Sequence, residues 1–461
     1  MNARKVAIGA VALGFMAIVA WQAGSGLAAY EPLAGSLEPD SAAVAEADQR
    51  TFEIALYERR LKEEPESALD LAQLAGLYLQ RGRETAQYED ILRAEQAARQ
   101  SLALRTNRNG KTYLTLASSL LAQHRFSEAL EVSRAVVAYD PDIPAYRAML
   151  GEVQLELGDY DEARSTFRSL SGDRTVPSVA ARLARWAEIE GRTEDARAIL
   201  NVTLQDMLRR SDLPSEQVAW FYLRRGDIEL KEGRLAEAKN AYRAGLDQWP
   251  NDYRLLGAMA RLELARNRPR RAIAYGERSM AITLDPAILG VIGEAYAARK
   301  DSVKAEEYYR TMQIAVVRQP GAFHRAWSLF LLDHDRATDE VLAKAREEIA
   351  SRKDIYGYDL LAWALYKRGE YAEARHQMRY ALRLATRDAM LYYHAGMIER
   401  AMGDPEAARK HLTRALEINK YFSRSSVRTA RAVLDSIKDR STLLAGRSPG
   451  APAFFFSASG G

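Results

Sequence analysis

The sequence has no cysteine, which excludes a disulfide framework, a thiolate metal site, a cysteine nucleophile and a lipid-carrying cysteine. Proline and glycine are sparse, 14 and 28 in 461 residues, and 48% apolar with 9% aromatic residues is the composition of a folded chain, which excludes bulk disorder. A large excess of one charge is missing too: 66 Lys and Arg face 62 Asp and Glu, for a net +4. Half of that excess is Arg4 and Lys5, ahead of an uncharged run from Val6 to Tyr30. What remains is no electrostatic footprint for nucleic acid. Opposite charges also alternate locally, as in Glu188, Glu190, Arg192, Glu194, Asp195 and Arg197, in the manner of a solvated helix face. No nucleic-acid partner is expected.

Recognisable reaction chemistry is equally scarce. None of the six His stands at HExxH spacing, and neither GxxxxGK[ST] nor GxGxxG occurs, nor GxSxG within the body. Glu347 and Glu348 read as an exposed helix face. His376, His394 and His411 fall near one another in the repeat pattern described below and read as groove or surface histidines. The expectation is a protein that is not an enzyme, with no catalytic residue, no cofactor and no metal.

Only one long hydrophobic run is present. Val6 to Trp21 is sixteen apolar residues behind a short basic start, against about 20 needed to cross a bilayer. Gln22 to Ala29 is uncharged and extends it, while Gly26 and Ala28 stand at signal-peptidase spacing. Residues 1–29 are therefore expected to be a signal peptide or a single-span membrane anchor. Either delivers an exported body, which in a two-membrane bacterium is periplasmic or anchored in the inner membrane facing the periplasm. Residues 30–48 read as an acidic linker with no Lys or Arg, although helical pattern begins near Ser41. Residues 49–66 read as an N-terminal capping helix, stopped near Glu64 by Pro65.

At 461 residues the chain exceeds the roughly 250 to 300 that one core supports, so it holds several domains or a repeat array. One column decides. Ala94, Ala129, Ala163, Ala196, Ala238, Ala272, Ala305, Ala374 and Ala408 recur at a period of 34, with one double step. Twelve residues upstream a second column reads Ala117, Gly151, Ala184, Gly226, Ala260, Gly293, Ala362 and Gly396, all small. Between the columns lies a turn signal, Gly158, Gly191, Gly233, Gly369 and Gly403, replaced in three units by His124, Asn267 and Lys300. Around Gly369, Leu361, Leu365, Tyr371, Ala374, Met378 and Ala381 recur at helical spacing. Each unit is thus two amphipathic helices, and the small columns permit close antiparallel packing.

These residues resemble the tetratricopeptide-repeat family. Tyr113, Ala117, Phe126, Ala129 and Pro141 match its pattern, as do Gly151, Gly158, Tyr160, Ala163 and Phe167, and again Tyr222, Gly226, Gly233, Ala238, Tyr242 and Pro250. The last two units carry Tyr358, Ala362, Gly369, Tyr371, Ala374, Ala381 and then Tyr392, Gly396, Gly403, Ala408, Ala415. The resemblance implies an all-α, right-handed superhelical solenoid of about ten helix-turn-helix repeats. The array is expected over 67–421, with a degenerate repeat near 320–352, a C-terminal capping helix at 422–440 and a disordered tail at 441–461 around Phe454, Phe455 and Phe456. The first unit carries about seven extra residues near Glu84 to Asp90, read as a loop, and Met207 to Ser215 as a second insertion.

The resemblance further implies a concave groove lined by the first helix of each repeat. On this chain that selects Arg185 and Glu188; Trp220, Asp227 and Leu230; Arg254, Arg261 and Leu264; then Tyr356, Asp359, Trp363 and Tyr366; then Met390, Tyr393, Met397 and Arg400. The aromatic end is the candidate site for a partner peptide or helix, unless those rings pack between adjacent repeats. The family's carboxylate clamp of Lys and Asn is not matched, since Ser118, Glu152, Arg185 and Asp227 stand there. The expected function is an exported or membrane-tethered, non-catalytic scaffold holding a protein or peptide through its groove. The alternatives are an accessory subunit of an envelope enzyme or polymer-export complex, an enzyme with an unrecognised site, or a cytoplasmic regulator.

Overall fold

A computed structural model describes residues 41–445 apart from Arg174 and 318–324. The expected leader and the Phe454 to Phe456 tail lie outside the described residues. Helix α1 (Ser41–Glu63) precedes ten antiparallel pairs. These are α2 (Ala68–Thr85) with α3 (Tyr88–Leu104), α4 (Gly110–Ala122) with α5 (Phe126–Tyr139), and α6 (Pro144–Leu157) with α7 (Tyr160–Arg168). Next come α8 (Pro177–Ile189) with α9 (Thr193–Met207), α10 (Ser215–Lys231) with α11 (Leu235–Gln248), and α12 (Tyr253–Ala265) with α13 (Pro269–Met280). The series ends with α14 (Pro286–Ala298) and α15 (Ser302–Val317), α16 (Arg325–Asp333) and α17 (Thr338–Ser351), α18 (Ile355–Arg368) and α19 (Tyr371–Ala381), and α20 (Ala389–Ala401) and α21 (Pro405–Ile418). Helix α22 (Arg424–Ala445) follows. The chain is an all-α helical-repeat solenoid.

Local chemistry sets the helix starts. Asp252, Asp285, Asp354 and Asp388 cap first helices by accepting backbone N–H groups two or three residues on. Pro144, Pro177, Pro269, Pro286 and Pro405 occupy the first helical turn, where no intrahelical N–H bond is lost. Each pair is closed by a residue in the left-handed region, Gly where the repeat supplies it, His124, Asn267 or Lys300 where it does not, Ala86 in the first pair, and Asp335 and Ala337 in the degenerate one. The alanine column is fully buried from Ala94 to Ala272 and again at Ala374 and Ala408. Gly226 shows why the facing column is small, because a Cβ there would collide with the ring of Tyr242 from α11.

Several details differ from the sequence reading. Helix α1 begins at Ser41, inside the stretch read as a linker to 48, and α22 runs to Ala445, past the expected end at 440 into the stretch read as a disordered tail. The extra residues near Glu84 to Asp90 lengthen α2 and α3 to 18 and 17 residues and leave only Ala86 and Gln87 between them, so they form helix and not a loop. In the degenerate unit Val341, buried at the head of α17, stands at the step where the other pairs have alanine.

The array closes on itself. Six pairs after α6, the Lys353 N–H donates to Leu157 O at 2.8 Å, and the Ile355 N–H donates to the Tyr160 hydroxyl at 2.9 Å. Arg352 reaches Glu156 O, also at 2.8 Å. One pair further, Thr386 Oγ1 donates to Ile189 O, and Arg387 grips Glu232 through two bonds of 2.9 and 2.6 Å. A third step brings Asn419 Nδ2 to Leu230 O at 2.9 Å. This seam joins the interhelix turns of the third to fifth pairs to the loops that enter α18, α20 and α22. Helix α1 braces the other end: Glu46 accepts from Ser215 N and Oγ, and Ala43 packs in one cluster with Ala219, Tyr242 and Leu255.

Candidate functional site

The first helices face the inside of this coil, and most of the charges they present there are paired. Arg182 holds Glu152 at 2.5 Å, Arg185 pairs with Glu156, and Glu188 takes Arg224 at 2.7 Å and Lys231 at 2.5 Å. Arg254 bridges Glu216 and Asp252, both at 2.6 Å. Burial alone would raise the Glu188 carboxyl, but Lys231 and Arg224 outweigh it and hold it at about 2. Burial would likewise lower Lys231, and Glu188 raises it instead. Such pairs fix geometry more than they stabilise, since desolvation offsets much of the attraction.

Two chambers open on this inner face. The larger, about 490 Å³, brings together Arg185, Trp220, Asp227 and Arg254, four of the residues expected in the groove, with Arg83, Arg182 and Glu216. It is strongly charged, and burial with the nearby Arg254 guanidinium pulls Arg83 down despite Glu216. The smaller, about 310 Å³, has apolar walls of Leu230, Leu264, Val291, Met390 and Phe422. Its rim carries Lys231, Arg261, Glu294, Asp388 and Arg424. Leu230, Arg261, Leu264 and Met390 are positions that the repeat register selects. Val291 and Glu294 were legible too, because Glu294 follows Gly293 as Arg261 follows Ala260. Phe422 and Arg424 were not, since they lie beyond the last repeat, where the register says nothing.

The side chains of Arg261, Glu294 and Arg424 make no hydrogen bond or ion pair among the described residues, unlike most charges around them. Glu294 meets water in the chamber, yet protein surrounds it on the concave side. That desolvation, with the Asp333 carboxylate, pushes its acid up to about 7 against the pull of Arg424.

At the aromatic end the expectation of an open surface is not met. Trp363 is 3% exposed, donates from Nε1 to Asp333 at 3.0 Å, and stacks on His394 and Tyr366 with centroids 4.1 and 4.6 Å away. Asp359 is fully buried, accepting from Arg325 at 2.5 Å and pairing with His394 Nδ1 at 2.7 Å. Tyr393 and Met397 are buried beside them, Tyr356 and Tyr366 are half-buried, and Arg400 is exposed. The register points Trp363 inward as it does Arg185 and Asp227, but side chains from α16 and α20 cover it. The histidines do not gather: His376 meets Tyr380 edge-on, His411 lies near Tyr392, and His394 belongs to the Trp363 cluster. Glu348, expected on an exposed face, is half-buried. No group of three or more His, Asp or Glu able to hold a metal occurs among the described residues.

The profile of the tetratricopeptide-repeat family matches residues 114–175, 223–283 and 360–421. The chain carries tetratricopeptide repeats. The three tetratricopeptide matches cover the pairs α4 to α7, α10 to α13 and α18 to α21. The fourth pair, the 208–214 insertion and the degenerate unit lie between them. Among solved structures, a tetratricopeptide-repeat protein from Parabacteroides merdae is similar at 13% identity, covering 53% of this chain and 93% of that one, with a TM-score of 0.36. PilF of Pseudomonas aeruginosa gives 18% identity, 49% and 97% coverage and a TM-score of 0.37. Yeast Tom70 gives 11%, 80% and 96%, and 0.35. Among curated proteins none matches. A tetratricopeptide array with this inner face is a protein-interaction scaffold.

Proposed function

We propose that the chain is an exported or membrane-tethered scaffold without chemistry of its own, which takes a peptide or helix of a protein partner into the 310 Å³ chamber. The observation that carries this reading is the contrast inside the coil. The groove elsewhere is largely occupied by its own ion pairs, whereas this chamber combines five apolar walls with the unpaired Arg261, Glu294 and Arg424. An apolar floor with a few convergent charges is the usual composition of a recognition pocket. A partner presenting one apolar side chain between charged neighbours complements it. The site thus moves from the aromatic cluster around Trp363 to the neighbouring chamber, which keeps Met390 from the expected set.

Export rests on the leader, residues 1–29. No described helix is long and apolar enough to cross a membrane, so cell fractionation with amino-terminal sequencing of the mature chain tests this part by itself. For the groove, a photo-crosslinking residue in place of Met390 in the full chain should give a discrete adduct in cells. Arg261→Glu, which disturbs no internal partner, should abolish that adduct and leave the melting temperature unchanged. Adducts that form only from the convex face, or that persist undiminished in the Arg261 variant, contradict the reading.

A further inference from the structure

A different edge of the molecule carries charge in the opposite manner. The turn from α12 to α13 and the start of α13 read Arg266, Asn267, Arg268, Pro269, Arg270, Arg271, and the next turn adds Arg299 and Lys300. Between the two turns lies an open cavity of about 560 Å³ lined by Arg268, Pro269, Arg270, Arg271 and Arg299, without a single carboxylate. The side chains of Arg270 and Arg271 make no hydrogen bond or ion pair among the described residues, and that of Arg299 makes none either but lies over the Tyr296 ring, 5.8 Å from its centroid. Glu263, at 3.0 Å from Arg266 and 3.8 Å from Arg268, is the neighbouring counter-charge. The field reaches further, for burial together with Arg243, Arg266 and Arg268 depresses the Lys239 ammonium.

Nothing in the repeat requires this. Most second helices elsewhere begin with acid, as with Glu128 in α5, Asp161 and Glu162 in α7, Glu237 in α11 and Glu406 in α21, and α15, which does not, is capped by Asp301. Acid there suits the positive end of the helix dipole. Helix α13 has none in its first turn and no side-chain cap, so the arginines add repulsion to an end that already favours an anion. The turns of the third to fifth pairs are engaged by the seam, whereas Arg268, Arg270, Arg299 and Lys300 are exposed.

We infer that this cavity is a binding site for a phosphate-bearing ligand. Arginine forks match phosphate oxygens through paired N–H donors, and an uncapped helix start adds backbone donors. Four guanidiniums exceed what one carboxylate with two oxygens satisfies, which favours a multiply charged phosphate group. The patch is confined to two turns, and the long track of contacts used by nucleic acid is absent from it. The phosphate belongs either to a soluble oligophosphate or to an anionic phospholipid headgroup. The inference stands apart from the inner chamber and survives if that reading fails.

The test uses the purified full chain. Titration calorimetry with inorganic tripolyphosphate reads the soluble source, and flotation with phosphatidylglycerol vesicles against phosphatidylcholine vesicles reads the headgroup. Arg270→Gln with Arg271→Gln should weaken whichever binding is seen by tenfold or more, at an unchanged or slightly raised melting temperature. Arg428→Gln with Arg431→Gln, on the exposed face of α22, should leave it within twofold. Saturable binding to either probe with this pattern supports the site and names its source. Binding to neither probe, or an equal loss in both double variants, overturns it.

Discussion

At the scale of single residues, Glu348 shows a carboxyl whose burial costs stability. Its side chain is 16% exposed, one carboxylate oxygen is buried without a hydrogen bond, and Arg352 stands 3.7 Å away. Burial outweighs that arginine and pushes the acid up to about 7 from an ordinary 4.5. A carboxyl raised on folding binds its proton more tightly in the native state, so stability is greatest below about pH 4.5 and falls as pH rises through 7. With Arg352 already included in that shift and solvent screening allowed for, the loss is on the order of 2 kcal/mol. Glu348→Gln should therefore raise the melting temperature at pH 8 by roughly 1 to 3 °C and leave it nearly unchanged at pH 4.5. Equal effects at both values, by scanning calorimetry, would show that the carboxylate is not desolvated. Sequence placed Glu348 on a solvated face because helical periodicity reports which side meets its own pair, not which side is covered by the following loop with Arg352 and Asp354. Trp363 failed for a related reason: the register gives its direction but not the cover supplied by Asp333 and His394.

Among the elements, the helix pairs were legible almost entirely. Two small columns at a 34-residue period carried their existence, their antiparallel packing and their turns, because the contacts responsible lie within each unit. The seam was not legible, since its partners are separated by nearly two hundred residues and belong to loops whose sequences share no pattern. It does leave one trace. The turn residues at the seam, Gly158, Gly191 and Gly233, are glycine, whereas turns 124, 267 and 300 accept other residues in the same left-handed conformation. At Gly191, φ is +72° and an added Cβ would lie 2.6 Å from Ala385 O across the seam; at Gly369, φ is +86° and nothing lies within 4 Å. Gly369→Ala should thus cost only the left-handed penalty, about 1 to 2 kcal/mol. Gly191→Ala should cost more, and should speed hydrogen exchange in 385–388. Chemical denaturation of the two variants compares them directly, and equal losses would mean that the turn alone, without the seam, requires the glycine.

For the whole molecule, the seam changes what a repeat array of this length is. An open solenoid deforms along its axis and offers its groove throughout. Here several hydrogen bonds and the Arg387 to Glu232 pair, each worth about 1 kcal/mol, tie one superhelical turn to the next. The inner charges are then satisfied mostly from within, and the chamber around Leu264 and Met390 is left as the place where an outside side chain fits. The absence of cysteine makes the decisive measurement simple, because two introduced thiols are the only ones to label. Spin labels on Asp159→Cys and Lys353→Cys, neither of which uses its side chain in the seam, report closure by double electron-electron resonance. A closed coil gives one narrow distribution at the short end of the measurable range. A broad or long distribution would show an open solenoid and contradict the account.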